Sequence, residues 1–239
     1  LAVGTNVAEE LMQKLRVIAK KPLLSLKKGD TSIGFSLEAA LGISANCSKA
    51  PDYKGIEIKI GRNKKNRFNL YGQVADWKNS PFKSSAEILN EYGYDREKSN
   101  KLYCTLSTLK PNSQGLVLRC NDKSNLVEEW HEPSNTLVAI WPYSLLEDRL
   151  IEKHSETFWI QAKLVETSGS EAFLLESVMH TKRALVNQLI SLIQSGLVTM
   201  DHLIKRDLKT GRVSEKGPLF KIRKKHLNLL FPNPEKYKF

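Results

Sequence analysis

The chain has 239 residues, 41 % hydrophobic and 26 % charged, which is enough to bury one large core or two lobes and excludes wholesale disorder. Its 37 Lys and Arg against 26 Asp and Glu leave a formal charge of +11, a balance that suits a polyanionic partner because neutralised phosphates release counterions. No run approaches roughly 18 consecutive apolar residues, so no membrane helix is expected, and no Gly-rich nucleotide-binding loop is present.

Taken in chain order, apolar Val7, Leu11, Leu15 and Ile18 recur at helical spacing and predict an amphipathic helix over 7–20, with Pro22 just beyond its end. The first residues lack the basic flank and apolar run of a signal peptide. A Gly-Asp-Thr-Ser turn at 29–32 leads to a short helix over 35–43 that carries Glu38 and ends at Gly42. Residues 56–60, Ile-Glu-Ile-Lys-Ile, alternate strictly and predict a strand whose isoleucines face one side and whose Glu57 and Lys59 face the other. A second strand over 67–74 is expected to complete a hairpin with a basic tip at 62–65.

A helix over 84–92 then precedes strands at 102–109, 115–120, 125–130 and 136–141, separated by turn-forming groups, so the middle third reads as antiparallel sheet. Further helices are expected at 143–153 and 183–195, and strands at 157–166, 172–179, 198–208 and 219–223. The connection 208–218, with its glycines and lysines, reads as a mobile loop. Cys47, Cys104 and Cys120 form no Cys-x-x-Cys pair and read as reduced thiols, which with the absent leader predicts a cytoplasmic protein. The five histidines are scattered with no paired spacing and are expected at the surface or satisfied and partly buried, while the four tryptophans fall mostly in strands and are expected to pack the core or lobes.

The residues that carry chemistry are Asp52, Glu57 and Lys59, in the order Asp-x4-Glu-x-Lys. A loop carboxylate followed by a same-face Glu and Lys can converge on one small volume. Two carboxylates suit Mg2+, a hard cation that favours oxygen ligands, and a metal with a nearby lysine suits hydrolysis of a phosphodiester. On spacing alone the same pattern also describes a solvated strand face.

The stretch Gly34-Phe-Ser-Leu-Glu38-Ala-Ala-Leu-Gly42 with Ala50-Pro-Asp52-Tyr-Lys-Gly-Ile-Glu57-Ile-Lys59 resembles the catalytic core of the MutH and MvaI/BcnI group of restriction-endonuclease-like nucleases. The resemblance continues at 191–201 and 217–223. It implies a mixed α+β fold with a mixed sheet flanked by helices, and two lobes forming a DNA-binding cleft. The catalytic lobe is then expected mainly over 30–180, and the recognition lobe over 1–29 and 181–239. It implies Asp52 and Glu57 as metal ligands, Lys59 as catalytic lysine and Glu38 as the helix carboxylate completing the site.

It further implies a monomeric, Mg2+-dependent type II restriction enzyme acting on double-stranded DNA, with a cognate methyltransferase as genetic partner. A MutH-like nickase and a non-cleaving DNA-binding protein on the same scaffold are the alternatives. Restriction members carry base-contacting histidines where this chain has Tyr71-Gly72-Gln73 and Ser214-Glu215-Lys216, so the recognition sequence does not carry over. Expected DNA contacts are Arg62, Lys64, Lys65, Arg67, Gln73, Arg206, Lys209, Arg212, Lys216 and Arg223.

Overall fold

The computed structural model describes residues 6–29, 31–43, 51–62, 67–96, 99–167 and 169–239. In order these form α1 (Val7–Ile18), β1 (Leu23–Leu24), α2 (Ser32–Ala40), β2 (Glu57–Gly61), β3 (Arg67–Gly72), α3 (Ser85–Tyr92), β4 (Tyr94–Arg96) and β5 (Ser99–Leu106). Next come β6 (Leu116–Asn121), β7 (Leu126–His131), β8 (Thr136–Pro142), α4 (Tyr143–Lys153), β9 (Glu156–Thr167) and β10 (Ser170–Lys182). The last are α5 (Leu189–Gln194), β11 (Val198–Asp207), β12 (Val213–Glu215), β13 (Leu219–Arg223), α6 (Leu227–Leu230) and β14 (Glu235–Lys238). This is the mixed α+β class expected from the sequence.

The chain divides into two compact units, residues 1–68, 151–184 and 231–239 in the first and 69–150 and 185–230 in the second. The partition differs from the expected one. Residues 1–29 fall with the Asp52 to Lys59 segment, and 69–150 fall with the late strands, because partners far apart in sequence decide each core.

In the first unit a mixed sheet runs in the order β1-β10-β9-β2, with β14 added to β10. β2 pairs β9 in parallel, Glu57 opposite Thr157 and Lys59 opposite Trp159, and the other pairs are antiparallel. Helix α1 starts where the Asn6 side chain accepts the Ala8 N–H, with Glu9 and Glu10 in its first turn and Arg16 in its last, all favourable to the helix dipole. Its Leu11 and Leu15 enter a core with Leu37 of α2 and Ile56, Ile58, Phe158, Ile160 and Phe173 of the sheet segments. Burying each such side chain contributes about 1.5–3 kcal/mol relative to exposure.

The second unit holds the sheet β3-β13-β11-β5-β4, with β12 on β11, and a three-stranded antiparallel sheet β6-β7-β8. Leu102, Leu106, Trp141, Met200, Ile204, Phe220 and Ile222 are fully buried in it.

Three local expectations are corrected. β2 and β3 do not form a hairpin, since β2 pairs β9 and β3 pairs β13 in different sheets. The helix expected over 183–195 is confined to a 3-10 turn at 186–188 and α5, because β10 continues to Lys182 and Arg183 adopts a left-handed φ of 47°. The segment 208–218 is in part ordered strand: Val213–Glu215 pairs back on β11, and Asp207 closes the turn by accepting the N–H groups of Lys209 and Thr210.

Candidate active site

Asp52 and Glu57 are brought together by a two-residue turn. Tyr53 and Ile56 exchange both backbone hydrogen bonds, at 2.9 and 2.8 Å, while Lys54 and Gly55 between them take φ of 47° and 92°. Two consecutive positive φ values are those of the hairpin turn that favours glycine at its second position. The chain thus reverses within four residues, and Asp52 Oδ2 accepts the Ile58 N–H at 3.0 Å, which fixes the carboxylate beside the start of β2. The turn is tied to α1: the Tyr53 hydroxyl donates to Glu10 at 2.7 Å, and the Lys54 ammonium reaches the same carboxylate at 2.7 Å.

Glu57 is 1 % exposed, and both its oxygens meet ammonium groups, Lys59 Nζ at 2.5 Å and Lys153 Nζ at 2.9 Å. Burial alone would raise its carboxyl, but Lys59 and Lys153 outweigh that and hold it below the usual range. Asp52 moves the other way. Burial pushes it up, and the negative charge of Glu57 adds to the push. Glu38, half-buried on α2, is likewise raised, first by burial and then by Asp52, which places it within electrostatic reach of the same carboxylates.

The donor chemistry fits a hard divalent cation: buried carboxylates crowd each other, which is the repulsion such an ion relieves. Among the described residues no three carboxylate, imidazole or thiol groups are gathered closely enough to chelate an ion unaided. Glu57 is held by lysines instead.

Sequence reasoning missed Lys153. It lies at the end of α4, 96 positions from Glu57, and its ammonium is largely buried. Its only signal in the sequence is a lysine closing a helix directly before the strand that pairs with β2. His202, expected at the surface or partly buried, is instead fully buried and satisfied by two carboxylates: its ring meets Glu129 at 3.0 Å and Glu215 at 3.3 Å, and Ser85 also donates to Glu215.

The expected DNA-contacting residues fall into different settings. Arg62 is tied down by Glu171 Oε1 at 3.2 Å and the Gly29 carbonyl at 3.4 Å. Arg67 opens β3, half-buried, and Lys64 and Lys65 lie outside the described residues. Gln73 is built into the second unit, its N–H donating to the Pro218 carbonyl and its carbonyl accepting from the Trp141 indole. Arg206 donates to Asn90 on α3 at 2.6 Å. Lys209, Arg212, Lys216 and Arg223 are exposed.

Among solved structures, the chain is similar to the restriction endonuclease MvaI in complex with its cognate DNA substrate, with a TM-score of 0.84, 21 % identity and 98 % of each chain covered. It is also similar to MvaI in the absence of DNA, with a TM-score of 0.56, 18 % identity and 99 % of each chain covered. At these identities the likeness establishes the fold. No curated protein sequence matches the chain. A family model for the MvaI/BcnI restriction endonucleases matches residues 12–231, nearly the whole length, and the chain therefore belongs to the MvaI/BcnI restriction endonuclease family, the type II site-specific DNA endonucleases.

Proposed function

We propose that this enzyme is a Mg2+-dependent endonuclease that recognises a short sequence in double-stranded DNA and hydrolyses a phosphodiester at the site formed by Asp52, Glu57 and Lys59. The observation that carries the reading is the tight turn that sets Asp52 against the Ile58 N–H while Glu57 and Lys59 project together from β2. Asp52 and Glu57 would hold the ion, with Glu38 supporting from α2. When bound, Mg2+ offsets charge on the scissile phosphate and makes a water more acidic.

The chain's own groups do the rest. Lys59, anchored on Glu57, presents an ammonium to the phosphate and to the attacking water. Asp52, its carboxyl raised by burial and by Glu57, gains from a cation that offsets this crowding of negative charge. Exposed Lys209, Arg212, Lys216 and Arg223, with Lys64, Lys65 and Arg67, supply phosphate or base contacts. Arg62, Gln73 and Arg206 act there by fixing the segments that carry those contacts. The enzyme works as a monomer in the cytoplasm, beside a methyltransferase that protects the host's own sites. Among the described residues no helix is long and apolar enough to cross a membrane.

The test is incubation with mixed-sequence plasmid and Mg2+ followed by sequencing of the ends. Defined linear fragments with a shared end sequence are expected, and Asp52→Asn and Glu57→Gln should each lower cleavage by at least about 1000-fold while retaining DNA binding. Nicked circles as the end product would favour single-strand cutting, and wild-type rates in either variant would remove the site assignment.

A further inference from the structure

In the sheet β3-β13-β11-β5-β4 the two sides of β11 and β5 differ in exposure. Along β11 and β5, Met200, Ile204, Leu102 and Leu106 are fully buried, and Arg206 on that same side meets Asn90 of α3. On the alternate side Lys205 stands directly opposite Lys101, Leu203 opposite Tyr103, and Asp201 opposite Thr105; Lys205, Tyr103 and Thr105 are exposed, Lys101 and Leu203 half-buried, and Asp201 buried. Tyr103 is 43 % exposed, large for a tyrosine in the centre of a strand.

Charge on this face is arranged unfavourably for the free protein. Lys101 and Lys205 form a like-charged cross-strand pair, which destabilises a sheet. The carboxylates on the same face are hydrogen-bonded to other groups, although Asp207 also feels the charge of Lys205. Asp201 accepts from Thr105 Oγ1 at 2.7 Å and pairs with Lys221 Nζ at 2.8 Å, and Asp207 accepts the backbone N–H groups of its turn. The Lys101 ammonium rests over the Tyr103 ring at 5.8 Å. Two lysines side by side on this β surface, next to a tyrosine and, among the described residues, with no carboxylate in ion-pair contact, offer adjacent positive charges to a nucleic-acid backbone.

We propose that this face, centred on Lys101, Tyr103 and Lys205, is a docking surface of the second unit for the phosphate backbone of duplex DNA. The proposal rests on the reading of the chain as a DNA endonuclease and names where the substrate is held. The two lysines bind phosphates, and the Asp201, Thr105 and Lys221 cluster keeps β5, β11 and β13 in register beneath them. These contacts are independent of base sequence, so they add affinity and not discrimination.

The test measures binding of a mixed-sequence 30-base-pair duplex by fluorescence anisotropy across a KCl series without divalent metal, using the full chain. Lys101→Gln combined with Lys205→Gln is expected to weaken binding about 10-fold and to make the log-log salt slope shallower by about 1.8, two phosphate contacts at roughly 0.9 each. Lys110→Gln with Lys123→Gln, exposed lysines of the same unit outside this sheet, removes equal charge and should leave the slope within about 0.5 of wild type. The Lys101/Lys205 variant should melt no lower than wild type, because the substitution relieves a repulsion. An unchanged slope in that variant, or an equal change in the control pair, overturns the surface while plasmid cleavage by wild type keeps the endonuclease reading. Absence of salt-dependent binding by wild type, together with absence of cleavage, overturns both.

Discussion

At the scale of single residues, the site is governed by how many positive charges share one buried carboxylate. Glu57 lies between two ammonium groups, and a cation that binds it must compete with at least one of them. Lys59 is next to Glu57 on the same strand face and follows it in any rearrangement, whereas Lys153 arrives from a different element. Lys153→Met is therefore expected to lower kcat about 10- to 100-fold by loosening Glu57, while Mg2+ half-saturation moves to a lower concentration because one competitor is gone. Lys153→Arg should restore kcat only in part, since a guanidinium does not reproduce a point charge. Steady-state cleavage across a Mg2+ titration checks this, and wild-type kcat with an unmoved midpoint would assign Lys153 to packing alone.

At the scale of elements, two devices set the geometry. The first is the turn Tyr53 to Ile56, where a Cβ on Gly55 meets nothing within 4 Å and only the φ of 92° opposes a side chain. Gly55→Val should cost about 1–2 kcal/mol from left-handed strain and should lower cleavage by about 10- to 100-fold, because the turn sets Asp52 against Ile58. Gly169→Val, with φ of 77° and the same open space, should cost similar stability and leave cleavage near wild type. Equal activity in the two variants would dismiss the turn as a positioning device. The second is the His202 link between β11, β7 and β12. Burial alone would lower this imidazole, but Glu129 and then Glu215 outweigh burial and raise it to about 10. With the folded value above the unfolded one near 6.5, its stabilisation is full below that pH and is lost as pH rises toward 10. Denaturant unfolding should show stability falling from pH 7 to 10. His202→Gln should be destabilised by about 3 kcal/mol at pH 7 and should lose most of that slope, and a wild-type profile flat over this range would contradict a charged His202.

At the scale of the whole molecule, the excess of 11 positive charges makes the free enzyme a ready polyanion binder, and the proposed ion site at Asp52 and Glu57 predicts a response to divalent ions. An ion that binds the folded chain and not the unfolded one raises the melting temperature by mass action. Millimolar Mg2+ should therefore raise Tm by about 2 °C or more, EDTA should reverse the shift and abolish cleavage, and Asp52→Asn should show little of it. A wild-type Tm indifferent to Mg2+ would argue against an ion at Asp52 and Glu57.

The sequence by itself determined what lies within one or two turns of chain. The helical spacing of Val7, Leu11, Leu15 and Ile18, the alternation of 56–60 and the helix 143–153 were all legible, because period and capping are local properties. Asp52, Glu57 and Lys59 were legible for the same reason, since eight consecutive residues carry all three. The resemblance added Glu38, whose place beside them depends on α2 packing against β2. Only the tertiary structure decided which strands pair. β2 looked like half of a hairpin with β3, but it aligns in parallel with β9, and that choice delivers Lys153 to Glu57. Strand pairing between distant segments depends on which apolar faces are buried together, and neither alternation nor turn chemistry encodes that partner. The lysine pair of Lys101 and Lys205 escaped the sequence for the same reason, 104 positions apart in the chain and opposite each other only once β5 and β11 lie side by side.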